Sequence, residues 1–64
     1  MEYEVFVKHL MEELQQNMEQ EGVELQRHEV IKHNGVVKDG ITVKYPDTPV
    51  APIIYADDLY ERFN

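Results

Sequence analysis

The sequence predicts an α+β domain of order α-β-β-β-α, with an N-terminal amphipathic helix on a three-stranded antiparallel sheet and a short C-terminal helix. Three observations carry this. Apolar residues recur at three- and four-residue steps from Tyr3 to Met18. The period then drops to two in paired runs on either side of Asn34-Gly35. Last, a run bounded by prolines leads into an acidic turn and a second, shorter apolar stripe.

The first helix is expected from Glu2 to about Gln20. Tyr3, Phe6, Val7, Leu10, Leu14 and Met18 share one face, while Glu4, Lys8, Glu12, Gln15, Gln16 and Glu19 face water. Glu2 and Glu4 stand in the first turn, where the helix dipole favours negative charge. Gly22 is the expected stop, since glycine enters the left-handed conformation without a steric penalty.

Val23–Lys32 and Val36–Tyr45 read as a hairpin, and parity chooses its loop. A two-residue turn at Asn34-Gly35 would put Leu25 opposite Lys44 and Gln26 opposite Val43, splitting the apolar residues between faces. A three-residue loop, His33-Asn34-Gly35 with Gly35 left-handed, instead pairs Val23 with Tyr45, Leu25 with Val43 and Ile31 with Val37 on one face. On the other face it sets Glu24 against Lys44. This register also leaves Arg27 and Glu29 on the core side, opposite Ile41 and Asp39, and turns Val30 outward. Two explanations stay open: the sheet runs past the helix into solvent, or a second bulge near Arg27–Val30 resets the register.

Pro46-Asp47-Thr48-Pro49 is a turn, and Val50–Ala56 the third strand. Pro52 lacks an N–H, so this strand is expected at an edge with that residue facing away from the ladder. Asp57 is the expected cap of the final helix, whose stripe is Leu59, Tyr60 and Phe63. That helix runs to Asn64 without a stop signal, so residues 1–64 are expected to be one small domain, the N-terminal part of a longer protein.

Composition narrows the function classes. Six basic against thirteen acidic residues give a net charge of −7, which argues against nucleic acid and anionic membrane as partners. With no cysteine, thiolate metal sites, disulfides and cysteine nucleophiles are excluded. Serine is absent too, and Thr42 and Thr48 have no base at a useful spacing, so nucleophilic catalysis has little material. His28-Glu29-Val30-Ile31-Lys32-His33 is not a zinc-protease helix, because its histidines are five apart on a strand. Asp57, Asp58 and Glu61 read as a helix start rather than a cation site. Lys32, Lys38 and Lys44 read as too scattered for a basic patch. No cofactor and no metal are expected.

Several short motifs occur in a particular order: Tyr3-Glu4-Val5-Phe6, Val23-Glu24-Leu25, Asn34-Gly35-Val36, Asp39-Gly40-Ile41, Pro52-Ile53-Ile54-Tyr55 and Asp58-Leu59-Tyr60-Glu61. Together they resemble the N-terminal region of a family of clostridial and related gut Firmicutes, the domain of unknown function family 5688. The resemblance implies a longer bacterial parent chain and transfers no site residue, because the shared motifs are turns, strands and helix starts.

The expected function is a non-enzymatic protein-interaction or assembly domain of a larger cytoplasmic protein, partnered by another protein or by a second copy. Its expected surface is the exposed sheet face and edge (Val30, Pro52, Ile54) with the terminal stripe (Tyr60, Phe63). The alternative is part of an enzyme or small-ligand binder completed by further chain, with His28, Asp39 and Asp57 as its polar groups.

Overall fold

A computed structural model describes residues 1–18 and 21–63. Helix α1 (Tyr3–Gln16) is followed by strands β1 (Glu24–Ile31), β2 (Val37–Lys44) and β3 (Ile53–Tyr55), then helix α2 (Ala56–Phe63). This is the α-β-β-β-α arrangement. The strands are antiparallel in the order β1-β2-β3, leaving β1 and β3 at the edges. The molecule is a slab of 31 × 30 × 15 Å, thick enough for one helical layer on one sheet.

The hairpin has the loop that parity requires. Gly35 N–H donates to the Lys32 carbonyl, Lys32 N–H donates to the Val36 carbonyl, and Gly35 has φ +84°. From there the ladder runs unbroken from Ile31↔Val37 to Glu24↔Lys44, so no second bulge resets it. The other explanation holds: the sheet outruns the helix. Ile31 and Val37 lie on the helix side of the sheet, yet are 71% and 54% exposed.

The core is small. Val7, Ile41 and Ala56 are almost wholly buried, with Tyr3, Phe6, Leu10, Met11 and Leu25 packed around them. Ile41 is on the central strand directly under α1, where each face of its side chain meets other apolar groups.

Several boundaries differ from expectation. The first helix ends at Gln16 with Asn17 as its C-cap, which leaves Met18 outside it; Glu19, Gln20 and Asn64 lie outside the described residues. Gly22 therefore does not stop the helix. Its φ of +84° turns the chain into β1 beside the ring of Pro46. The third strand is only Ile53–Tyr55, since Pro52 ends the pairing. Pro52 faces the ladder rather than away from it: its carbonyl accepts Val43 N–H at 2.9 Å, and it has no N–H to return. Asp57 is not the cap, because α2 begins at Ala56 directly after the strand. Its carboxylate accepts the Asp58 N–H inside the first turn.

Candidate functional site

Register decides which side chains share a face. Odd-numbered residues of β1 and β2 turn toward α1, and even-numbered ones form the open face. On that open face Val30 and Ile53 lean together over Gly40. A Cβ built on Gly40 would stand 2.7 Å from Val30 Cγ2 and 3.1 Å from Ile53 Cγ2. Glycine thus lets side chains from both outer strands close over the central one, making a small apolar patch.

Charged and polar side chains share the face with the patch. Lys32, Lys38 and Lys44 all hold even positions, as does His28, whose imidazole meets Thr42 Oγ1. Lys32 Nζ stands 4.6 Å from the Tyr55 ring centroid, and Lys38 donates to Asp58 Oδ1 at 2.7 Å. These lysines are scattered along the chain but gathered on one face. Parity in the hairpin was the signal that could have revealed it.

The expected surface residues separate. Val30 is half-buried on the open face, and Pro52 is exposed at the start of the edge strand. Ile54 is a correction: it pairs with Ile41 and is half-buried on the helix side, because the strand that carries it runs straight into α2 and so delivers that side to the core. Tyr60 belongs to an aromatic cluster, with its ring edge-on to Tyr3 and Phe6 at 5.1 and 5.2 Å and its hydroxyl donating to the Met1 carbonyl. Phe63 is 75% exposed and lines an apolar groove of about 300 Å³ between the helices, with Phe6, Leu10 and Leu59.

Arg27, stranded on the core side by the register, is the centre of a polar network that the sequence did not disclose. Its guanidinium grips Glu4 of α1 through two bonds of 2.8 and 2.9 Å and Asp39 of β2 at 2.7 Å; Asp39 also accepts the Tyr3 hydroxyl. An arginine aimed at a helix needs a carboxylate there, and Glu4 in the first turn was the available signal. The bonds from Arg27 hold the Asp39 and Glu4 carboxyls below their ordinary range. Burial, then the hydrogen bond to Asp39, pushes the Tyr3 hydroxyl well above the usual phenol range.

Asp39 and Asp57 border one open cleft of about 550 Å³ beside this network. His28 is at its rim, but its imidazole is committed to Thr42 on the other face. Among the described residues no cluster of three or more His, Asp or Glu could hold a metal ion. No helix among them is long and apolar enough to cross a membrane.

The depressed Asp39 implies a pH signature with a definite sign. A carboxylate whose folded pKa is lowered stabilises the fold above its unfolded value, and that contribution is lost as pH falls through the folded value. Asp39→Asn is expected to be about 1 kcal/mol less stable than the parent at pH 7, with the difference vanishing well below pH 4. Urea midpoints at both pH values check this. A gap that persists in acid would mean that Asp39 acts through shape and not charge.

The fold and these surfaces define a small α+β domain with one covered and one open sheet face. The chain belongs to the Family of unknown function (DUF5688), whose model matches residues 3–64. No curated protein and no solved structure matches it.

Proposed function

We propose that this is a cytoplasmic protein-interaction or assembly domain and not an enzyme. The observation that carries it is the uncovered sheet face, where the Val30–Gly40–Ile53 patch shares its side of the sheet with charged and polar residues, Lys38 and Lys44 among them. An apolar centre with a charged rim is the anatomy of a protein interface. Its lysines can meet carboxylates on a partner surface.

The polar cleft supports the same reading by its chemistry. Arg27 bonds Glu4 and Asp39, Asp39 stays ionised, and Tyr3 keeps its proton. None of these groups is poised to exchange a proton near neutral pH, as an acid–base catalyst must. The enzyme-part alternative keeps one observation in its favour, that Asp39 and Asp57 border the same cleft. A thermal shift with small metabolites that Asp57→Asn abolishes would favour it instead.

Val30→Glu tests the proposal. The new carboxylate stands opposite Lys38, so the sheet tolerates it, with an expected stability change under about 1 kcal/mol. Light scattering behind a sizing column should show a parent mass that rises with concentration above 7.6 kDa, and a Val30→Glu mass that does not. A parent fixed at 7.6 kDa, together with equal partner capture by both chains, would sink the idea.

A further inference from the structure

The long edge of the sheet carries a pattern that matches itself. Lys32 N–H donates to Val36 across the hairpin, so by the alternation of an antiparallel ladder the even residues of β1 bond to β2. Leu25, Arg27, Glu29 and Ile31 therefore turn their N–H and C=O groups out to the free edge. No described element lies beside β1 on that side, and β1 is eight residues long where β3 has three.

We propose that the domain forms a two-fold symmetric dimer in which β1 pairs antiparallel with β1 of a second copy, in the register that sets Arg27 against the partner's Glu29. The inference rests on the assembly reading above and names its partner. A two-fold axis normal to the sheet keeps both helical layers on one side and pairs odd residues with odd. Centred on His28, it pairs Arg27 with the partner's Glu29 and Leu25 with the partner's Ile31, so all the outward-facing backbone groups find mates. On the open face it pairs Glu24 with the partner's Lys32 and Gln26 with the partner's Val30.

Neighbouring registers are worse for a plain reason. A slide of two residues one way sets Arg27 against the partner's Arg27, and the other way sets Glu29 against the partner's Glu29. The favoured register covers Ile31, 71% exposed on the single copy, and continues the core side of the sheet across the seam. Glu29, exposed and opposite Asp39 within its own sheet, gains a cationic neighbour.

The test is sedimentation equilibrium at about 0.15 M salt, where repulsion between two copies of net charge −7 is screened. The parent chain is expected at twice 7.6 kDa. Glu29→Arg, which opposes the partner's Arg27, should raise the dissociation constant at least about tenfold. Mixing it with Arg27→Glu should restore a dimer containing one of each. Because Arg27→Glu also loses the ties to Glu4 and Asp39, Glu29→Pro is the second variant. Its missing N–H is one that points outward, so it should abolish the dimer and leave the circular dichroism of the fold unchanged. A parent that stays monomeric to about 1 mM overturns the proposal and makes Arg27 and Glu29 mere guards of the edge. A dimer indifferent to Glu29→Pro but lost in Val30→Glu also overturns it, while the assembly reading survives with the open face as the contact.

Discussion

Ile41→Ala is expected to cost about 2–4 kcal/mol and leave much of the protein unfolded at 37 °C. Ile41 has no exposed surface, is on the central strand, and forms one cluster with Val7 of α1 and Ala56 of α2. Truncation opens a cavity where both helices meet the sheet, and neighbours that also anchor the helices cannot collapse into it. A domain of this length has about 3–10 kcal/mol of stability in all, so the loss takes a large share. Ile31→Ala is the matched control. It has the same chemistry on the same side of the sheet, but on the single copy, at concentrations below dimer formation, its 71% exposure limits the expected cost to about 0.5 kcal/mol or less. Urea denaturation of both variants measures the contrast. Equal losses would mean that the hydrophobic layer extends past the helix to the hairpin tip.

Gly40→Ala is expected to destabilise by about 1–2 kcal/mol through a clash on the open face. The added methyl would lie 2.7 Å from Val30 Cγ2 and 3.1 Å from Ile53 Cγ2, closer than such atoms pack. Gly40 does not have a positive φ, so backbone strain plays no part. Val30 is β-branched and stiff about χ1, so it does not swing aside freely. Val30→Ala should therefore rescue Gly40→Ala: a double-mutant cycle is expected to show about 1 kcal/mol of favourable coupling. Absence of coupling would place the clash elsewhere and remove the close approach of the outer strands on which the proposed surface depends. The variants also bear on function, since Gly40→Ala pries the Val30–Ile53 patch apart without adding a charge.

These effects show which features a linear reading can reach. The helix stripe, the Asn34-Gly35 turn and the two-residue alternation are local signals, and they sufficed for the element order, the three-residue loop and the pairing of Leu25 with Val43. The same parity places Lys32, Lys38 and Lys44 on one face, a consequence legible in the register though easily missed along the chain. Boundaries fared worse. A helix ends where its tertiary contacts end, and α1 stops at Gln16 although its apolar spacing continues to Met18.

By itself the sequence determined the α-β-β-β-α order and the hairpin register, because hydrophobic periodicity and turn chemistry act over a few residues. Only the tertiary structure decided how far α1 reaches along the sheet, and hence that Ile41 is buried while Ile31 on the same face is not. It also decided that Arg27 meets Glu4 and Asp39, that Ile54 turns inward, and that Val30 and Ile53 close over Gly40. Each depends on where a helix crosses a strand or how close two strands approach, and contacts between residues far apart in the chain leave no period in the sequence.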